Sequence, residues 1–171
     1  MCPSVSWQWV KLGNLCEIKR GKSKHRPRNE PSLFGGKYPF IQTGDIRNAN
    51  GGYINQFSQT YSELGLEQSK LWPKDTLCIT IAANIGETAI LGIDACFPDS
   101  VVGLICNHRT FNKYINYFLI SFKNQLQKLA PATAQKNINV EILEKIVLPL
   151  PPDLETQQAI VAEIESRLSV C

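Results

Sequence analysis

The sequence predicts an α+β fold: a mixed, β-sheet-rich domain with packed helices, followed by a C-terminal coiled-coil-type helix. Three observations support this prediction. Between residues 38 and 106, short runs of β-branched and apolar residues alternate with turn signals, which is typical of buried strands. Between residues 110 and 131, apolar residues recur every three or four positions, as they do on one face of a helix. Beyond residue 152, a narrower apolar stripe with heptad spacing indicates a coiled-coil seam.

The length of 171 residues fits one domain of ordinary size with a short appendage. No apolar run approaches the roughly 18 residues that a membrane-spanning helix needs, and the first residues lack the layout of a secretory signal. We therefore expect a soluble, cytoplasmic protein with no membrane partner. The six cysteines include no CxxC pair, so we expect reduced thiols and no metal site.

The first predicted strand ends at Gly21, because apolar and charged residues alternate over residues 16–19. The basic loop follows, defined here as Lys19–Arg28, with six Lys or Arg in ten positions. Residues 1–30 carry a net charge of +5 and the rest of the chain −2. Such a concentrated positive patch suits a polyanion.

Two further strands are predicted in YPFIQTGDI, residues 38–46, and GGYINQFSQTY, residues 51–61, with a turn in NANGG between them. A short helical turn is expected in SELGLEQSK, before Pro73. The buried centre of the sheet is predicted in TLCITIA, ETAILGI and ACFPDSVVGLIC, with turns near Gly86 and Asp94.

A long amphipathic helix is predicted over residues 111–129, and Pro131 ends it. Asn139 is expected to cap a short helix that leads into the extended segment VLPLPP. A last helix begins near Asp153. Its predicted partner-binding seam consists of Leu154, Val161, Ile164 and Leu168, with Gln157 at an intervening heptad position. Because so short a coiled coil is unstable alone, we expect this helix to dock on another surface.

Two short motifs suggest catalysis, but each lacks the rest of its pattern. Gly21-Lys22-Ser23 ends like a P-loop, yet Cys16 stands where that motif needs glycine, and prolines follow where a helix should begin. Glu17-Ile18-Lys19 resembles the end of a nuclease site, but no metal-binding partner carboxylate can be assigned. With only two histidines, a nucleophile with an oriented base is hard to assemble. The sequence therefore predicts no catalytic residue and a protein that is not an enzyme.

The remaining chemistry is polyanion binding, and a solvated surface loop is the alternative. Phosphate contacts are predicted for the cations of the basic loop: Lys19, Arg20, Lys22, Lys24, Arg26 and Arg28. Amides and guanidinium groups read base edges, so base contacts are predicted for two polar segments. These contacts involve Gln42 and Arg47 in the first segment, and Gln135, Lys136 and Asn137 in the second. Each segment also has an ordinary interpretation as a polar turn with helix caps.

Taken in order, five segments resemble the specificity subunit of type I restriction-modification enzymes. They are WQWVKLGNLCEIKRGK, YPFIQTGDI, DTLCITIAANIGETAIL, TAQKNINVEILEKIVLPLPP and ETQQAIVAEIE, which together span nearly the whole chain. Each motif alone is common, and their order and spacing carry the resemblance. Asp153 departs from the usual Pro-Pro-Leu pattern and is expected to change only how the last helix starts.

The resemblance implies a target-recognition domain in residues 1–150 and the start of a conserved spacer helix in residues 151–171. It implies sequence-specific recognition of one half of a bipartite double-stranded DNA target, by a subunit with no active site. The spacer helix is expected to bind modification (methyltransferase) subunits, and restriction subunits to join through the complex. S-adenosylmethionine, ATP and Mg are then expected on those partners, and no cofactor on this chain.

A full specificity subunit of that family has two such domains and two spacer helices. This chain is therefore expected to be a half-subunit, natural or excised, and it resembles the N-terminal half. It is expected to pair with a second half-subunit, or with itself, through the C-terminal helix. The recognised bases depend on side-chain geometry and DNA deformation, which the sequence does not specify.

Two alternatives remain open from the sequence. A nonspecific nucleic-acid-binding domain, such as an RNA-binding one, would expose aromatic rings for base stacking. Spacing places most rings in the core and leaves Trp7, Trp9, Tyr53 and Tyr61 as candidates. A protein-association scaffold would act through residues 153–171, with the basic loop incidental.

Overall fold

A computed structural model describes residues 6–131 and 137–171. The strands are β1 (Gln8–Lys11), β2 (Cys16–Arg20), β3 (Phe34–Phe40), β4 (Tyr53–Ile54), β5 (Gln59–Tyr61), β6 (Leu77–Thr80), β7 (Thr88–Leu91), β8 (Val101–Cys106) and β9 (Val147–Leu150). The helices are α1 (Thr43–Ala49), α2 (Glu63–Glu67), α3 (Asn112–Leu129), α4 (Val140–Glu144) and α5 (Leu154–Leu168). This content confirms the predicted α+β class. Among these helices, none combines the length and apolar content that crossing a bilayer requires.

The central sheet has the strand order β2-β8-β6-β7-β4 and is antiparallel except where β4 runs parallel to β7. All four residues of β6 and of β7 are buried. Successive side chains of a strand point to opposite faces, and accordingly Leu77 and Ile79 join one apolar core and Cys78 the other. The prediction that these runs form the buried centre of a sheet is confirmed.

The larger core lies between one face of the central sheet and the helices α3, α4 and α5. Helix α3 has the predicted extent, and its apolar stripe includes Ile115, Leu119 and Leu126, which are all buried. The other face is covered by α1 and by the rings of Trp72 and Phe97, which stack with centroids 4.8 Å apart.

The predicted strand over residues 38–46 is wrong beyond Phe40, because α1 begins at Thr43. The carboxylate of Asp45 accepts the Gln42 N–H at 2.9 Å, which satisfies an otherwise unpaired donor at the helix start. Ile46 is fully buried and holds the helix on the sheet. The predicted turn follows, since Asn50 and Gly51 have the positive φ values of 47° and 80° that end a helix.

The prediction of one strand over residues 51–61 is also wrong. Strand β4 pairs with β7, whereas β5 pairs with β3 in a separate two-stranded sheet. The residues between them, 55–58, are polar or exposed and leave the chain free to change sheets. The segment from Ala95 to Cys106 is likewise divided, because the turn 98–100 precedes β8.

The predicted cap at Asn139 is confirmed, and the last helix begins after Asp153 as predicted, with Asp153 as its cap. The side chain of Asn139 accepts the Ile142 N–H at 2.8 Å, and that of Asp153 accepts the Thr156 N–H at 2.7 Å. The extended segment before α5 is strand β9, which pairs antiparallel with β1. The predicted domain boundary at residue 150 falls between β9 and α5. It stays a prediction, because Val161 of α5 packs in the same core as the central sheet and α3.

Candidate nucleic-acid interface

The basic loop leaves the central sheet at one end, which we call the loop end. Strand β2 finishes at Arg20, and the Gly21 N–H donates to the Val101 carbonyl oxygen at 2.8 Å. Strand β6 finishes beside the same point, because Thr80 pairs with Val101. The basic loop, the turn 98–100 and the turn after β6 therefore meet at the loop end.

Gly21 is required by a close approach of two backbone segments. A Cβ atom at this position would collide with the carbonyl oxygens of Phe97 and Pro98. The next residue is held to the same segment, since the Lys22 N–H donates to the Phe97 carbonyl oxygen at 3.1 Å. An irregular loop follows Lys22 where a P-loop would begin a helix, so this glycine serves packing.

Hydrogen bonds fix the backbone of the basic loop. The hydroxyl of Ser69 donates to the Lys22 carbonyl oxygen at 2.7 Å, and the His25 N–H donates to Oε1 of Gln68 at 3.0 Å. The guanidinium of Arg26 donates to the Ser23 carbonyl oxygen at 2.8 Å. The loop is therefore a defined conformation from which its cationic side chains extend.

The predicted phosphate-binding cations differ in what they already contact. Lys19 lies 2.8 Å from Glu17 in an exposed ion pair, and its ammonium lowers the pKa of that carboxyl. Arg28 pairs with Asp99 at 3.0 Å, and Arg20 donates to the carbonyl oxygen of Asp99. Lys22 and Lys24 are exposed and form no ion pair within the described residues. These two lysines are therefore the most available to an external anion.

A cleft of about 540 Å³ joins the basic loop to the start of α1. Arg28 and Gln42 both line it, so the structure brings two predicted site residues together. Its other lining residues are Ser23, Asn29, Phe34, Phe40, Thr43, Gln59, Tyr61, Pro98 and Ser100. The rings of Phe40 and Tyr61 stack on one another with centroids 4.1 Å apart and give it an apolar wall.

Two amides lie together in this Arg28–Gln42 cleft. Nε2 of Gln42 donates to Oε1 of Gln59 at 2.6 Å, which fixes the two side chains relative to one another. Gln42 immediately precedes α1 and Gln59 begins β5. Amide pairs offer both donors and acceptors, the combination that base edges present.

The other predicted base-reading residues lie elsewhere or outside the described residues. Arg47 is exposed in the last turn of α1 and is not among the described residues that line the cleft. Gln135 and Lys136 fall outside the described residues. Asn137 is exposed at the loop end, where it bridges to Ala82.

Hydrogen bonds connect the Asn137 segment to the cleft. The Ile138 N–H donates to the Ile81 carbonyl oxygen at 3.0 Å, and the Ile81 N–H donates to the Ser100 carbonyl oxygen at 3.0 Å. Ser100 lines the cleft. The basic loop, Gln42 and Asn137 therefore lie at the same end of the central sheet.

Sequence reasoning missed Asp99 and Gln59. Asp99 lies in a turn between apolar segments and contacts Arg28, 71 residues earlier. Gln59 stands in a segment whose pairing partner could not be read from the sequence. The polar turn PDS was the one local signal for Asp99.

Of the fifteen aromatic rings, five are buried, six are partly buried and four are exposed, namely Trp7, Trp9, Tyr53 and Phe57. Phe97 and Tyr61 are 0% and 1% exposed, so Tyr61 is not a stacking surface, although the sequence left that open. Trp7 and Trp9 are 51% and 75% exposed. Trp9 lies on β1, opposite Pro149 of β9, and is not among the described residues that line the cleft.

The predicted partner-binding seam of α5 is divided by burial. Val161 is 3% exposed and belongs to the larger core, and Ile164 is half-buried. Leu154 and Leu168 are 39% and 59% exposed. Val161 thus helps to dock α5 on its own domain, while partner binding by Leu154 and Leu168 stays a prediction.

Gln157 anchors α5 to the start of α3. Its side chain is fully buried: Oε1 accepts the Phe111 N–H at 2.8 Å, and Nε2 donates to the Arg109 carbonyl oxygen at 2.9 Å. Farther along the helix, Lys113 lies 2.9 Å from Glu165, which raises the pKa of the lysine. These contacts set the direction in which α5 leaves the domain.

Known proteins share this sequence pattern and fold. The family model for the type I restriction modification DNA specificity domain matches residues 4–167. The type I restriction enzyme EcoprrI specificity subunit of Escherichia coli is 23% identical over 166 residues, which are 94% of this chain and 41% of that subunit. The chain thus spans about two fifths of the length of this relative.

Solved structures of low identity show the same fold. A chain from a structure described as "Structural basis underlying complex assembly and conformational transition of the type I R-M system" aligns with a TM-score of 0.79 and 22% identity, covering 99% of this chain and 41% of that one. The HsdS subunit from Thermoanaerobacter tengcongensis aligns with a TM-score of 0.75 and 23% identity, over 97% of this chain and 38% of that one. The S subunit of a type I restriction-modification system from M. genitalium aligns with a TM-score of 0.68 and 18% identity, over 97% of this chain and 40% of that one.

Proposed function

Because the chain belongs to the type I restriction-modification DNA specificity domain family, we propose that it recognises one half of a bipartite double-stranded DNA target for a type I restriction-modification complex. The observation that carries this proposal is the cleft that Arg28 and Gln42 share. A guanidinium suited to phosphate and an amide suited to a base edge face the same space. Phosphate contacts position a protein on DNA, and base contacts give it sequence preference.

The phosphate backbone lies against the basic loop in this proposal. Lys22 and Lys24 supply exposed ammonium groups, and Arg28 exchanges the Asp99 carboxylate for a phosphate. Because the loop backbone is held by Ser69 and Gln68, little ordering is needed when DNA binds. Each phosphate neutralised adds about 0.9 to the slope of log affinity against log salt.

The amides of Gln42 and Gln59 supply base readout. Asn and Gln side chains pair with adenine through one donor and one acceptor, and each such pair discriminates by about 1–3 kcal/mol. Asn137 lies at the same end of the sheet and extends the contact surface, together with Gln135 and Lys136 outside the described residues. The recognised sequence follows from how these groups meet the groove.

Helix α5 supplies the attachment to partners. Leu154 and Leu168 remain exposed while Val161 and Gln157 hold the helix to its own domain. We place the modification subunits, and a second half-subunit or second copy of this chain, against this exposed side. Restriction subunits join through the assembled complex. A chain of the same fold comes from a structure of type I complex assembly, which supports membership of such a complex and leaves the role of α5 as a proposal.

The reactions lie on the partners in this proposal, and this chain is not an enzyme. Methyl transfer from S-adenosylmethionine and ATP- and Mg-dependent cleavage belong to the modification and restriction subunits. No group within the described residues is assigned a catalytic role here. The chain works in the cytoplasm, where the DNA and these partners are found.

The test uses the complex reconstituted with its modification subunits. Affinity for target duplex is measured by fluorescence anisotropy over a range of salt concentrations, for the wild type and for Lys22→Ala/Lys24→Ala. The slope of log affinity against log salt is negative. Because each lysine contacts one phosphate in this proposal, the double variant is expected to reduce the magnitude of the slope by about 1.8. Lys145→Ala is the matched control, because Lys145 is exposed on the C-terminal side of α4 and pairs with Glu141.

An unchanged slope for the double variant would contradict the proposed phosphate contacts. Mapping of methylated adenines in the same complex tests the recognition role separately. Methylation confined to one bipartite sequence supports the proposal. Methylation that ignores sequence, or tighter binding to an RNA duplex than to DNA, contradicts it.

A further inference from the structure

Cys16 and Cys106 face one another across β2 and β8, and their Sγ atoms lie 3.4 Å apart. The Asn107 N–H donates to the Leu15 carbonyl oxygen at 2.8 Å, immediately outside the cysteine pair. This pattern makes the cysteines a non-hydrogen-bonded antiparallel pair, where facing Cα atoms are about 4.5 Å apart. A disulfide spans Cα atoms about 4.4 to 6.8 Å apart, so the backbone already permits the bond.

The two thiols differ in access. Cys16 is 5% exposed, whereas Cys106 is half-buried and lines a surface cleft of about 380 Å³ with Lys74 and Asn112. The hydrogen bond to Cys106 and burial both raise the pKa of Cys16. A reagent from solution therefore reacts with Cys106 first. Cys16 is less accessible, and its raised pKa keeps it a protonated thiol.

We propose that Cys16 and Cys106 form an oxidisable dithiol, a modification site at which a small disulfide such as glutathione disulfide closes a bond between β2 and β8. The Cys106 thiolate first attacks the small disulfide, forming a mixed disulfide and releasing one thiol. Cys16 then loses its proton to solvent, attacks the Cys106 sulfur and expels the second thiol. The two cysteines lose two electrons and two protons, which the small disulfide gains as two thiols.

This site is independent of the proposed DNA contacts. Cys16 begins β2 and Arg20 ends it, so the dithiol lies about 13 Å along the strand from the loop end. The bond adds no charge and removes none from the basic loop. DNA affinity is therefore expected to be the same in the reduced and oxidised proteins.

Other cysteines provide internal comparisons. Cys78 and Cys96 are both 0% exposed, and burial raises the pKa of each thiol. Cys171 is exposed, and Cys2 lies outside the described residues. The parent protein for the experiment is therefore the full chain with Cys2→Ser and Cys171→Ser, which retains four cysteines.

The folded parent is incubated with glutathione disulfide, quenched with acid, unfolded and alkylated with N-ethylmaleimide. Intact mass is expected to show two alkylated thiols and no retained glutathione. Proteolysis without reductant is expected to yield one linked pair of peptides, containing Cys16 and Cys106. The oxidised parent is also expected to unfold at a higher urea concentration, because the bond restricts the unfolded chain.

Single variants separate the two steps. Cys16→Ser is expected to retain one glutathione on Cys106, Cys106→Ser to stay unreacted, and Cys96→Ser to oxidise like the parent. The inference is overturned if the parent treated with glutathione disulfide still has four alkylated thiols, or if the linked peptides join any other pair of cysteines. Because the decisive measurement is made on the parent, it stands even if a single variant folds poorly.

Discussion

The guanidinium of Arg28 lies 3.0 Å from the carboxylate of Asp99. A cation that lines the cleft is thus already paired with an acid of its own chain. The side chains are 49% and 35% exposed, and ion pairs this exposed contribute only about 0 to 1 kcal/mol. Asp99 therefore holds Arg28 in place only weakly, so that the proposed phosphate contact would cost little.

Asp99→Asn is expected to strengthen DNA binding by up to about fivefold, because Arg28 no longer has to leave a carboxylate. The salt slope is also expected to become steeper. Glu141→Gln is the matched control, since it removes the same charge from an exposed ion pair on α4. Anisotropy titrations of the reconstituted complex measure both quantities, and equal effects of the two substitutions would argue against a local role for Asp99.

Gln42→Ala and Gln59→Ala are each expected to reduce the preference for the target over a substituted site by about 10- to 100-fold. The salt slope should stay unchanged, because amides do not neutralise phosphates. Since the two amides share a hydrogen bond, the double variant should lose less than the sum of the single losses. Competition binding measures the preference, and Gln125→Ala on the exposed surface of α3 is the control. Unaltered preference in both single variants would rule out this pair as base readers.

Gln157→Leu is expected to lower the free energy of unfolding by about 1–3 kcal/mol. The substitution leaves the Phe111 N–H and the Arg109 carbonyl oxygen buried without their present partner. Urea denaturation measures the change. Gln158→Leu is the same substitution at the exposed neighbouring residue, and it is expected to change the free energy of unfolding little. Similar losses for the two variants would show that the buried hydrogen bonds are not responsible.

The cap of α5 is expected to make stability depend on pH in acid. The Thr156 N–H donates to Asp153, which lowers the pKa of the carboxyl from its ordinary value of 3.8. The group therefore stabilises the fold fully above about pH 3.8 and loses this contribution as pH falls through the lower folded value. Asp153→Asn keeps a capping oxygen without the charge and should lack this component. Urea denaturation at several acidic pH values tests the difference, and parallel curves for the two proteins would contradict it.

The sequence was sufficient for elements that depend on local signals. Helix α3 has enough turns to show its apolar period, and the predicted cap at Asn139 acts within three residues. The buried strands β6 and β7 were recognisable because their residues are apolar or β-branched and flanked by turns. Fold class followed from these elements.

Elements decided by long-range contacts were not predictable in the same way. Helix α1 has seven residues, too few to show a period, and the burial of Ile46 stabilises it against the sheet. The pairs Arg28–Asp99 and Gln42–Gln59 depend on strand order, which places distant segments side by side. The basic loop was evident from its charge, but the cleft it forms with Gln42 required the three-dimensional arrangement.

The pairing of β1 with β9 sets Lys11 opposite Val147, so the polypeptide enters and leaves the stretch 12–146 at neighbouring points. Segments whose two ends meet are readily transplanted, since their replacement leaves the flanking chain in place. In the proposed function, exchange of this stretch would change the DNA preference, and the new stretch would have to offer α5 the contacts that Gln157 and Val161 now make. The pairing of β1 with β9 thus brings both ends of residues 12–146 together, as the exchange of one segment for another requires.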